Sequence, residues 1–333
     1  MLIQNFNMVK LKSQLAAEYI NNNKAALIVI IVVGVLQSCI TFLLPVSIGE
    51  FFSIQFHAGS GKGRLLELLG IHFSSLTAFF IFFSVLLVLK AIVFQTEQWL
   101  SLKEGEKFVK MTRERLFAGQ MKQEAIIFQR KGYGNYLLRY SNDLKAVKNY
   151  LLAGILALFK NSIFLLIGFM LLALIHFQLA AYLVILFLVL LSGIFFLAHY
   201  QKKFIQESRD KRSNLLTFVT KSFGRYTRIK ENNNELDTIN RFNEKSDQLY
   251  EANLKNNQLE SFQQSLIPFL QYAMLGGLLF LSTVVSQSLT HENALVFVLV
   301  TLMLFSSMRK ILKVPGTLNK GNISLVKIEE LIQ

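Results

Sequence analysis

The chain has 333 residues, of which 53% are hydrophobic and only 17% charged, with a net charge of +14 and a mean hydropathy of +0.42. Ordinary soluble domains carry about 25% charged residues, so this composition excludes most soluble folds. A single cysteine, Cys39, excludes an internal disulfide and a cysteine-ligated metal cluster.

The only prolines are Pro45, Pro268 and Pro315, so residues 46–267 contain none. That favours long uninterrupted helices and argues against a multi-strand protein. Residues 1–24 are expected to be a polar N-terminal segment, within which 8–23 read as a short amphipathic elbow helix at the membrane interface. The apolar run after them is too long for the core of a cleavable signal.

A membrane-spanning helix needs about 20 mostly apolar residues. Six segments qualify: 25–48, 73–94, 151–175, 179–199, 266–286 and 294–308. The connections are very unequal. A Gly-rich stretch joins spans 1 and 2, and only a few residues separate spans 3 and 4 or spans 5 and 6. Spans 2 and 3 are joined by 95–150, and spans 4 and 5 by 200–265.

Orientation follows from Lys and Arg. Residues 95–150 carry eleven and 200–265 carry twelve, whereas the 3–4 and 5–6 connections carry none. Both termini and both long connections are therefore expected to face the cytoplasm. This topogenic bias accounts for the basic balance without nucleic acid. The long connections lack proline and hold apolar residues at helical spacing, such as Leu116, Met121 and Phe128, or Phe204, Leu215 and Phe218. They read as helical hairpins in which the spans continue beyond the bilayer by roughly 35–40 Å. The expected fold is an all-α membrane protein: a six-helix transmembrane domain over 25–312 with long cytoplasmic helical extensions, followed by a linker at 313–333.

The turn of the first hairpin runs from Phe128 through Gly132, Gly134, Leu137, Arg139, Asn142 and Asp143 to Val147. The second contains Gly224, Ile229 and Lys230, followed by Arg241 and Phe242, and the chain closes on Ser324, Lys327, Ile328 and Leu331. These residues, with the loop-length pattern, resemble the transmembrane domain of exporter-type ABC transporters over nearly the whole chain. Asn135 stands where that family usually has an acid, and Ala125 where proline is common.

The resemblance implies short coupling helices at about 128–136 and 208–217, which would sit in clefts of ATP-binding domains. Phe128, Gly132, Gly134, Asn135, Arg139, Asn142 and Asp143 would form the first coupling site, and Ser208 and Arg212 the second. Asn142 and Asp143 fit equally well as backbone caps.

An ATPase needs the phosphate-cradling pattern G-x-x-x-x-G-K-[ST]. Only Gly59-Ser60-Gly61-Lys62-Gly63 comes near, with Phe56 and Gly63 at two required positions, and it lies in a loop expected outside. The chain thus reads as a permease half without a cofactor of its own. ATP and Mg would be bound by an ATP-binding domain on a separate subunit or on a continuation of the chain. A second transmembrane half, identical or not, would complete a twelve-helix pore, and the expected location is a bacterial inner membrane. Alternatives from other classes are a membrane scaffold or regulatory subunit, or a secondary transporter. The last lacks an evident inverted repeat.

Within the spans, Lys160 and Lys90 are the candidate cavity charges, because intramembrane ammonium groups are costly. Lys90 lies near enough to the span end to snorkel. Gln271 is the best neutral cavity candidate, and Glu97 reads as interfacial. The histidines at 57, 72, 176, 199 and 291 have no metal-ligand spacing. No catalytic residue is assigned.

Overall fold

The structure, a computed structural model, describes residues 13–56, 75–124, 136–137, 139–284 and 291–332. The described residues are helical apart from caps and short turns. In chain order the helices are α1 (Gln14–Asn22), α2 (Lys24–Phe56), α3 (Leu76–Lys122), α4 (Arg139–Ile175), α5 (Phe177–Phe223), α6 (Tyr226–Glu231), α7 (Glu235–Val284) and α8 (His291–Ile332). Six of them, α2 to α5, α7 and α8, are long and apolar enough to cross a membrane.

The helix ends are set by local chemistry. Ser75 caps α3 by accepting from the Ala78 amide at 3.2 Å. The turn between α4 and α5 is one residue: His176 is extended, and its Nδ1 accepts from the Leu179 amide at 3.4 Å. α5 ends at Gly224, and after α6 the chain turns through Asn233, whose φ of 53° suits Asn better than most residues. Glu235 and Asp237 then open α7, where carboxylates favour the helix dipole. Pro45, Pro268 and Pro315 all lie inside helices that continue through them.

A helix of 47 residues, such as α3 or α5, is about 70 Å long, whereas the hydrocarbon core is about 30 Å thick. Roughly half of each therefore forms an arm beyond the spans, by the same rise per residue. α8 is the central strut and packs against α2, α3, α4 and α5, whereas α7 lies mainly along α5. Two apolar clusters result. One joins the spans through Phe42, Leu172, Leu183, Phe297 and Leu304. The other joins α1 to the first pair of arms and the end of α8 through Tyr19, Phe108, Leu116, Val147 and Ile328. Lipid is as apolar as leucine, so the first cluster is held by close packing. The second sits among charged arms, where removal of apolar surface from water adds to it.

Three expectations change, and one local feature is new. No separate coupling helix forms at 208–217: those residues belong to α5, because nothing between them and Gly224 breaks a helix. The hairpin turns at 224–234, the stretch that holds Gly224, Ile229 and Lys230. The linker expected at 313–333 continues α8 without a break to Ile332. The elbow helix α1 does not lay its apolar face on lipid. It buries Leu15, Ala16, Tyr19 and Ile20 against the arms. Finally, α4 carries two π-helical stretches, Arg139–Asp143 and Tyr150–Leu156, which periodicity does not reveal.

Candidate functional site

Two polar constellations stand out. The first is a cavity of about 580 Å³ at the arm-side end of the spans. Four helices each present one stripe to it at helical spacing: Gly34, Gln37, Ser38 and Thr41 from α2; Lys90, Phe94, Glu97 and Ser101 from α3; Ala157, Lys160, Asn161 and Phe164 from α4; Met303, Ser306, Ser307 and Lys310 from α8. Within it the Lys160 ammonium donates to the Glu97 carboxylate, with the Ser101 hydroxyl 3.5 Å from the ammonium. Glu97 is 4% exposed, so it is a buried partner and not the interfacial residue its position suggested. Gly34 makes room for the lysine: a Cβ there would lie 3.3 Å from both Cγ and Cδ of Lys160. Lys90 lines the same cavity from two turns up α3.

Gln271 lies elsewhere. It is buried between α7 and α8, donates to the Phe305 carbonyl at 2.7 Å and accepts from Arg309 at 3.0 Å. It clasps two spans at the edge of a second cavity of about 430 Å³, which Lys310 and Lys313 also line.

The second constellation is a buried ionic junction in the arms. Asp143 accepts from Arg139 on its own helix, from Arg209 of α5 at 3.3 Å and from Ser324 of α8 at 2.7 Å. Arg209 also donates to the Ser324 hydroxyl at 2.5 Å. Burial pushes the Arg209 guanidinium below its ordinary value, with Asp143 acting the other way. Arginine retains its charge at any physiological pH. One carboxylate therefore ties three helices that belong to two different hairpins and the last span. Arg139 and Asp143 were expected to face a partner; here they face inward. Asn142 is exposed.

Around the first tip, Tyr136 donates to Gln123 at 2.7 Å, and Gln123 donates to the Leu331 carbonyl at 3.2 Å. The end of α8 is thereby fastened beside that tip. Phe128, Gly132, Gly134 and Asn135 lie outside the described residues, as does the glycine-rich stretch 59–63. Ser208 is buried in the α5 arm and donates to Asn253 of α7 at 2.5 Å; Arg212 is half-buried one turn on. The second tip exposes Phe223, Tyr226, Leu236 and Ile239.

Long charged arms on six apolar helices are joined by this inward ionic junction. A family model described as the ABC transporter transmembrane region matches residues 27–308. The chain belongs to that family. It is an integral membrane protein and supplies the transmembrane part of an ABC transporter, with the six-helix fold that its sequence motifs resembled. No curated protein matches the chain.

Sequence reasoning missed Glu97, Arg209 and Ser324 as parts of these sites. The one available signal was a carboxylate seven residues from Lys90, two turns along the same helix face.

Proposed function

We propose that this chain is the permease half of an ATP-driven exporter working by alternating access. In this reading an ATP-binding domain outside these 333 residues supplies ATP and Mg, and a second transmembrane half completes the pore. Closure of the ATP-binding pair would draw the arms together and open the cavity outward. Hydrolysis would then reset it.

The observation that carries the reading is the second tip. Four large apolar side chains, Phe223, Tyr226, Leu236 and Ile239, are exposed at the far end of arms about 35–40 Å beyond the spans. Exposed apolar residues grouped at one place suit a protein contact. Residues 224–234 and the first tip, with Phe128, Gly132, Gly134, Asn135 and Asn142, are the proposed contacts with the ATP-binding domain. Ser208 and Arg212 would act within the arm. The buried Asp143 junction would keep a push at either tip from dissipating as independent bending of each helix. The bias of Lys and Arg to the arm side supports cytoplasmic termini; a bacterial inner membrane is the location proposed with them.

The test is purification from native membranes in mild detergent, followed by photolabelling with an azido-ATP analogue. The expected result is one labelled ATP-binding domain per chain, lost or uncoupled from transport in a Phe223→Asp, Leu236→Asp variant. A complex that carries no ATP-binding domain, under conditions that preserve other transporters, would overturn the reading and favour a scaffold.

A further inference from the structure

We propose that the cavity between α2, α3, α4 and α8 receives the anionic headgroup, a phosphate or carboxylate, of an amphiphilic substrate. The proposal deepens the transport reading and rests on it.

Three lysines, Lys90, Lys160 and Lys310, line this cavity, and Glu97 is its one carboxylate. Glu97 is already engaged by Lys160. Among the described residues, Lys90 and Lys310 have no carboxylate within salt-bridge distance. The cavity is therefore lined by two lysines that no carboxylate neutralises, Lys90 half-buried inside its span, where an ammonium is costly, and Lys310 exposed just past the end of the last span. A lone lysine at a span end can snorkel to water. Snorkelling does not account for three lysines from three helices lining one space, with the ammonium of one turned inward onto a buried acid.

Polarity gives the same answer. Each stripe lies on a helix whose other faces are strongly apolar, yet Gln37, Ser38, Thr41, Ser101, Ser306 and Ser307 face this space. The Ser38 and Ser306 hydroxyls already donate to the Gly34 and Met303 carbonyls, and the amide and hydroxyl donors that remain beside the ammonium groups suit phosphate or carboxylate oxygens. A cationic substrate would meet repulsion, and a neutral one would leave the lysines without a partner. Phe94, Phe164 and Met303 add an apolar wall for the hydrocarbon next to the headgroup. A volume of about 580 Å³ holds a headgroup and the first carbons of a chain, with the remainder left to the adjoining apolar surface. Lys310 also lines the neighbouring cavity, which carries Arg309 and Lys313, so the basic surface continues along α8.

The experiment reads binding without ATP. The purified complex is titrated with dansyl-labelled undecanoate and with its methyl ester, which has the same tail and no charge. The acid should bind at least tenfold tighter than the ester. Lys90→Gln with Lys310→Gln should erase that difference, while Lys90→Arg with Lys310→Arg retains it and shows that the fold survives. Competitors separate the sources of the anion. Displacement by phosphatidylglycerol vesicles and not by phosphatidylcholine vesicles indicates a membrane lipid. Displacement by dodecyl phosphate with no effect of either vesicle indicates a soluble amphiphile. Equal binding of acid and ester, or an unchanged preference in the glutamine variant, overturns the proposal. So does full displacement by inorganic phosphate alone at the same concentration as dodecyl phosphate. ATP hydrolysis is measured separately on the same samples. Anion binding without any ATP-dependent turnover would defeat the transport reading and leave this site standing, and the reverse pattern would defeat the site alone.

Discussion

Asp143 accepts a 2.7 Å hydrogen bond from Ser324, a residue 181 positions later in the chain. Through Arg139 and Arg209 the same carboxylate also holds its own helix and α5. The first hairpin, the second hairpin and the last span thus share one buried anion.

Removing that anion leaves two arginines close together and uncompensated. Breaking a buried pair from one side costs about 3–5 kcal/mol. Asp143→Ala should therefore lower the thermal midpoint in detergent more than Ser324→Ala, which removes the hydrogen bonds to Asp143 and from Arg209, each worth about 1 kcal/mol, and leaves the Asp143–Arg pairs in place. Equal effects of the two substitutions would show that Asp143 is not the centre of the junction.

Lys160 and Glu97 should behave as a coupled unit. Glu97→Gln leaves an ammonium inside the spans, and Lys160→Met leaves a buried carboxylate, each a loss of about 3–5 kcal/mol when a pair is broken from one side. The double variant should recover much of the loss, since replacing both members of a buried pair is often close to neutral. The check is a thermal-unfolding double-mutant cycle, in which additive losses would mean no coupling.

The elbow helix reports on alkaline pH. The Tyr19 hydroxyl lies 2.9 Å from both the carbonyl and the carboxylate of Glu104. Burial, reinforced by that carboxylate, pushes the Tyr19 phenol well above its ordinary value. A raised folded-state value means stability fully present below the unfolded value, about 10, and lost as pH climbs above it towards the folded value. Wild type should lose melting temperature above pH ~10 more steeply than Tyr19→Phe. Parallel curves would rule out a titrating Tyr19.

The same helix is capped by Ser13, whose hydroxyl accepts from the Ala16 amide at 3.2 Å and donates to Glu329 at 2.7 Å. Ser13→Ala should cost about 1 kcal/mol, typical of a lost N-cap. The exposed Glu18–Arg115 pair should matter little by comparison. Proteolytic release of the N-terminal segment is a direct readout.

Close approach of α8 to the arms depends on glycine. A Cβ at Gly119 would lie 2.7 Å from the Ile332 Cα, where no flexible side chain can yield. Gly119→Ala should push the end of α8 off α3 at a cost of about 1–3 kcal/mol, the usual range for overpacking. Faster cleavage near residue 332 with intact spans is the expected signature.

Much of the fold was legible because the needed quantities are local. A run of about 20 apolar residues, the count of lysines in a loop and the absence of proline are properties of short windows. The coupling helix that the family resemblance implied at 208–217 did not form as a separate element, since those residues lie inside α5. A helix ends only where its backbone is interrupted, here at Gly224 and again at 232–234. Lys160 was legible as an expensive intramembrane charge. Its partner was not, since Glu97 lies 63 residues away on another helix and at the edge of its span.

Sequence alone therefore determined six segments apolar and long enough to cross a membrane, with two long basic connections between them, because hydropathy and charge act residue by residue. Only the tertiary structure decided which polar groups meet. Burial of Glu97 against Lys160, the convergence of Asp143, Arg209 and Ser324, and the inward face of α1 all depend on how separate helices pack. An ion pair forms between neighbours in space, and the spacing of residues within one helix does not specify which face of another helix lies opposite.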